Sequence, residues 1–115
     1  MKRKEYYLNC YNIKEGQIYP KVRGYVENIE YNGKQYEIGY HKVGSASDTW
    51  SATELSTGLK CCKSGWFERK DCIAWVHENI ALIDKFMQDL EKGEKDKTMA
   101  KCVEDFKTFT KGNPA

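Results

Sequence analysis

Asn32-Gly33 lies between two runs of alternating residues, Tyr25 to Tyr31 and Lys34 to Tyr40. Asn-Gly supplies the positive φ values of a two-residue hairpin turn whose twist matches that of its strands. A turn here fixes a register, with Tyr31 opposite Lys34, Ile29 opposite Tyr36, Glu27 opposite Ile38 and Tyr25 opposite Tyr40. Side chains alternate between faces, so Tyr25, Ile29, Tyr31, Tyr36, Ile38 and Tyr40 share one face, with Glu27 as its misfit. That face requires a cover. Val26, Asn28, Glu30, Gln35, Glu37 and His41 share the other, which is mostly polar and expected to be wet.

The rest of the chain is read around this hairpin. Residues 1–4, with Lys2-Arg3-Lys4, read as a solvated basic tail. Glu5 to Ile13 is rich in Tyr and other β-compatible residues and predicts a first strand, ended by Lys14-Glu15-Gly16-Gln17. Pro20 marks a turn or an exposed strand start. Val43 to Thr49 is a small-residue connector that lacks the Lys-Ser/Thr of a P-loop. Trp50 to Leu55 and Leu59 to Lys63 predict a second hairpin, turned at Ser56-Thr57-Gly58. The sheet is thus expected over residues 5–63.

From Glu68 to Lys92, apolar residues recur at Cys72, Val76, Ile80, Ile83, Met87 and Leu90, one stripe of helical period. Gly93 is placed to end that helix. A straight helix of this length would run ~37 Å, beyond the ~20 Å of a typical strand, so its far half needs a second partner. Lys97 to Thr108 supplies one, with Met99, Cys102, Val103 and Phe106 at helical spacing and a short antiparallel return through Gly93 to Asp96. Residues 111–115 read as frayed. The expected fold class is α+β: an antiparallel four- to five-stranded sheet of hairpins covered by a long helix, with a second C-terminal helix packed on it, in one domain spanning 1–115.

No apolar run reaches the ~20 residues of a membrane span, and Lys2-Arg3-Lys4 is followed by polar, Tyr-rich sequence rather than an apolar signal core. The expected location is the cytosol, with no membrane partner. Five cysteines, an odd number without regular spacing, read as reduced thiols. The net charge of +2 is far from that of a strongly basic nucleic-acid binder. Residues 1–63 carry ten Lys/Arg against seven Asp/Glu, while residues 64–115 carry nine against ten. An anion-binding surface is therefore expected near the sheet.

Convergent catalytic groups are scarce. A Ser45/Asp48/His41 triad has no nucleophile-elbow pattern behind it. Cys61, Cys62, Cys72 and His77 miss the C-x₂₋₄-C and H-x₃₋₅-H spacings of zinc ligands. No metal, cofactor or catalytic residue is expected. Of the three tryptophans, Trp50 opens a strand and Trp75 flanks the helix stripe, and both read as core. Trp66 sits with Phe67 in a turn among Lys60, Lys63, Arg69 and Lys70. Aromatics ringed by Arg and Lys stack bases, hold phosphates or anchor protein interfaces, so these six residues form the expected partner-binding surface. A plug at the sheet–helix corner is the competing reading of Trp66 and Phe67.

Trp50-Ser-Ala-Thr53 and Thr57-Gly58-Leu59, followed by a helix opening Glu68-Arg69-Lys70-Asp71, resemble the layout of small accessory proteins of bacteriophages and mobile elements. The resemblance covers residues 50–76. It departs at Phe67, where a helix-capping Ser or Thr is usual. What it implies is a non-enzymatic protein whose partner is a nucleic acid or a nucleic-acid enzyme, and by analogy an anti-CRISPR-like inhibitor of a nucleoprotein defence enzyme; the expected partner is thus a protein or nucleoprotein target in the host bacterial cytosol. A direct binder of DNA or RNA is the alternative, and a small enzyme comes third.

Overall fold

The Asn32-Gly33 turn forms as the sequence demands, with φ of 53° and 78°. In the computed structural model, which describes residues 1–43, 49–62, 66, 68–93 and 97–115, it joins β4 (Lys21–Tyr31) to β5 (Lys34–Val43) in the expected register. Around this pair stand β1 (Lys2–Tyr7), β6 (Thr49–Glu54) and β7 (Leu59–Lys60), giving an antiparallel sheet of order β1-β4-β5-β6-β7. A separate two-stranded sheet pairs β2 (Cys10–Asn12) with β3 (Gly16–Ile18). Three helices follow: α1 (Arg69–Glu78), α2 (Ile80–Glu91) and α3 (Lys97–Gly112). The chain is α+β, and among the described residues no helix is long and apolar enough to cross a membrane.

The face carrying Ile29, Tyr36, Ile38 and Tyr40 is buried, and Cys72 and Val76 of α1 and Ile83 of α2 join it in one core. A tyrosine core leaves hydroxyls to satisfy, and an unpaired buried polar group costs about 1–3 kcal/mol. Tyr40 donates to Glu27 at 3.1 Å, and Tyr36 donates to the buried carboxylate of Asp84 on α2. Glu27, the misfit of the sequence pattern, also meets His77 of α1. Its carboxylate therefore joins a core hydroxyl to the covering helix.

Two expectations about the sheet are corrected. Lys2-Arg3-Lys4 is not a tail: these residues pair with Gly24 to Val26 as the first half of β1. The strand foreseen over Glu5 to Ile13 breaks at Leu8 and Asn9, whose N–H groups turn aside to the carbonyls of Pro20 and Gly58. β1 in turn changes the face expected to be wet. Tyr6 lies over Gly39, where an added Cβ would sit 2.5 Å from its ring, and its hydroxyl also crowds Gly24. Val26 and His41 are consequently buried, while Asn28, Glu30, Gln35 and Glu37 stay exposed. The Tyr6 hydroxyl lies 3.3 Å from His41 Nδ1.

The apolar stripe buries as foreseen, but one long helix over 68–92 does not form. Asn79 leaves the helical region with φ −115° and ψ 20°, and its side chain donates to the Trp75 carbonyl at 2.9 Å. Asparagine competes with the backbone for such carbonyls, which is why it breaks helices where packing rewards a bend. The bend keeps Ile83 and Asp84 over the sheet instead of letting them overhang it. Gly93 ends α2 with φ 69°; residues 94–96 of the foreseen return lie outside the described residues. α3 runs past Thr108 to Gly112, through part of the segment read as frayed. Its Phe109 stacks on Tyr19 at 4.5 Å and meets Tyr7 edge-on, while Phe106 presses on Gly58, where a Cβ would again sit 2.5 Å away.

Two tests follow from this packing. Replacing fully buried Ile38 by Ala should cost about 2–5 kcal/mol in urea unfolding; a loss within error would mean that the core face is misassigned. The second concerns His41. Burial, and then the charge of Lys60, lower its pKa from the ordinary 6.5. The unfolded chain therefore takes up the proton first as pH falls. This contribution to stability is complete above pH 6.5 and declines below it, through the lowered folded-state pKa. His41→Asn should flatten the Tm profile across that acidic window, and an unchanged slope would show that another group controls it.

Candidate functional site

The β1–β4 register sets Arg3 opposite Tyr25, and the β5–β6 register sets Lys42 opposite Trp50. Strand alternation puts these four side chains and Arg23 on the helix-covered face, beyond the point where α1 begins. Arg69, the first residue of α1, completes the group. Its guanidinium carbon lies 3.9 Å from the Tyr25 ring centroid and 5.5 Å from that of Trp50. Arg3 approaches the same tyrosine at 5.4 Å, and the Tyr25 and Trp50 rings are 6.2 Å apart. Two guanidinium groups thus converge on one half-exposed phenol. Cation–π contacts of this kind contribute roughly 0.5–1 kcal/mol each at exposed sites.

The electrostatics follow the geometry. Hydrogen bonding from Arg69, and then the charge of Arg3, lower the Tyr25 pKa from the usual tyrosine value. Arg3, Arg23, Lys42 and Arg69 outweigh Glu5, which faces Arg23 across β1–β4. The result is a cationic, aromatic corner on an otherwise near-neutral protein.

The residues singled out in the sequence are distributed unevenly over this corner. Arg69 is at its centre. Trp66 bridges to Trp50 by backbone, the Trp50 N–H donating to the Trp66 carbonyl at 2.6 Å. Its ring packs on the core, and its indole N–H is buried with no hydrogen-bond partner among the described residues. That is the environment of a corner plug. Lys70 is exposed but ion-paired with Glu68 at 3.2 Å. Lys60 lines a separate groove of about 190 Å³ with Leu59, Trp75, Leu82 and Phe86. Lys63 and Phe67 lie outside the described residues, as do Ser45 and Asp48 of the imagined triad.

Arg3, Tyr25 and Trp50, which sequence reading does not place together, meet at this corner. From sequence Arg3 reads as part of a basic tail and the two aromatics as core; the β1–β4 pairing brings Arg3 to Tyr25. Two buried carboxylates, those of Glu54 and Asp84, serve the fold. Buried Glu54 accepts from the backbone and hydroxyls of Ser56 and Thr57, holding the β6–β7 turn. Asp84 also takes the Gln88 amide at 2.8 Å. Among the described residues, no cluster of three or more His, Cys, Asp or Glu is arranged to hold a metal ion. Comparison of the chain with protein-family models, curated proteins and solved structures finds no match.

The corner makes a spectroscopic prediction. Arg69→Met keeps the side-chain length but removes the charge and hydrogen bond, so the Tyr25 titration midpoint should move up. Ring-carbon NMR of labelled tyrosine reads this directly. A midpoint that stays in place would mean that Arg69 does not sit on Tyr25 in solution.

Proposed function

We propose that this is a non-enzymatic binding protein that uses the Arg3–Tyr25–Trp50–Arg69 corner to hold the phosphate-bearing strand of a nucleic acid or nucleoprotein. The observation that carries this reading is the stack itself. Half-exposed rings offer faces for bases, each worth about 1–3 kcal/mol in single-strand binding. Guanidinium groups held beside them are pre-organised for phosphate, so little side-chain entropy is lost on contact.

The small net charge of +2 favours a second form of this reading, in which the corner is one part of a protein interface. A protein that occupies the nucleic-acid channel of a nucleoprotein enzyme needs only a local cationic patch, not a basic chain. By analogy with small mobile-element proteins, this form of the reading is an anti-CRISPR-like inhibitor carried by a phage or mobile element and acting in the host cytosol.

Fluorescence anisotropy with a generic labelled single-stranded oligonucleotide separates the two forms. Direct binding through three phosphates should weaken roughly twentyfold between ~50 and ~200 mM salt, because each contact releases counterion. Tyr25→Ala should then remove about 1–3 kcal/mol of affinity, and Arg69→Glu should weaken binding and cut the salt dependence by about a third, to roughly sevenfold over the same range. No binding at low salt would leave the protein-interface form. If Tyr25 and Arg69 variants bind as the wild type does, the corner is not the working surface.

A further inference from the structure

Behind the corner lies a pair of thiols that the binding reading does not use. Cys62 follows β7 and is 8% exposed, Cys72 ends the first turn of α1 and is fully buried, and their sulfurs are 3.8 Å apart. We propose that Cys62 and Cys72 form a thiol–disulfide switch, closed by a hydroperoxide, that repositions the start of α1 and with it the Arg69–Tyr25–Trp50 stack.

The two sulfurs are not equivalent. Cys62 Sγ accepts the Ala52 N–H at 3.1 Å. It also contacts the Cys72 thiol, a hydrogen bond in which either sulfur can donate, and that contact is the largest of the influences that lower its pKa, with the charge of Lys60 adding to them. Cys72, through the same contact and then its burial, is pushed the other way. Neighbouring Cys61 is pushed up by burial to about 12 and stays a thiol. One sulfur of the pair is thus prepared to attack, and the other is in place to resolve.

The chemistry balances. The Cys62 thiolate attacks the terminal oxygen of the hydroperoxide, the O–O bond breaks, and the leaving alkoxide, or hydroxide from hydrogen peroxide, takes up the proton that the Cys62 thiol released and departs as an alcohol or water. Cys62 is then a sulfenic acid. The Cys72 sulfur attacks it, the S–O bond breaks, and the departing hydroxide leaves as water with the Cys72 thiol proton. Two thiols have lost two electrons and the hydroperoxide has gained them. A dithiol reductant reverses the step by exchange.

Closure moves something near the site. The sulfurs must approach from 3.8 Å to about 2 Å, and Cys62 is tied to the β6 backbone through Ala52. The first turn of α1 is the softer side, because its N-cap Glu68 makes no side-chain capping bond. Arg69 stands three residues before Cys72 in that turn and shifts with it. The disulfide itself is independent of what the corner binds; only its effect on binding rests on the proposed function.

The test treats the reduced full-length protein with hydrogen peroxide, then maps cysteines by differential alkylation and peptide mass while following tryptophan emission. The expected result is a Cys62–Cys72 disulfide as the first product, with an emission change that dithiothreitol reverses. Cys72→Ser, which keeps a hydrogen-bond donor beside Cys62 but cannot resolve, should halt Cys62 at sulfenic acid, trapped by dimedone, and Cys61→Ser should change nothing. The proposal is overturned if both thiols remain alkylatable, if the first disulfide involves Cys10, Cys61 or Cys102, or if the bond forms without altering the emission. Failure of oligonucleotide binding in both redox states would count against the corner alone, since the disulfide map and emission decide the switch.

Discussion

A sheet face built from tyrosines can be buried only if its hydroxyls are met, and that requirement shapes this fold. Tyr36 and Tyr40 put polar atoms into the middle of the core, so the covering layer cannot be purely apolar. Asp84 of α2 meets one hydroxyl, and Glu27 of β4 meets the other while reaching His77 of α1. These contacts set the lateral position and rotation of both helices, which apolar packing alone specifies less sharply. The place where α1 begins, and hence where Arg69 lands, is a result of that alignment.

Much of this fold is legible in the sequence because its signals are local. The Asn32-Gly33 turn fixes the β4–β5 register, the alternation of Tyr and Ile identifies the core face, and the spacing from Cys72 to Leu90 identifies the covering stripe. What stays hidden depends on contacts between distant residues. Lys2-Arg3-Lys4 has the composition of a tail and becomes a strand because β4 offers an edge and Tyr6 finds a bed on Gly24 and Gly39. Asn79 carries no breaking signal as strong as Gly or Pro, and it breaks the helix because the bend keeps Asp84 within reach of Tyr36.

The candidate site shows the same division. Arg69 was identifiable from its position among aromatic and basic residues. Its actual partners, Tyr25 and Trp50, come from strands separated from it in sequence, and their half-exposed state depends on where α1 stops covering the sheet. Trp66 reads as an anchor or as a plug from sequence, and the structure bridges its backbone to Trp50 and packs its partly buried ring against the core.

The break at Asn79 also has a mechanical meaning. A continuous helix would transmit any displacement of its first turn along its whole length, to the Asp84–Tyr36 contact and to α3 beyond. Divided in two, the covering layer behaves as a pair of levers joined at one residue. The part bearing Arg69 can tilt while the part bearing Asp84 stays seated, so the protein can be compliant at its surface corner and stiff at its centre.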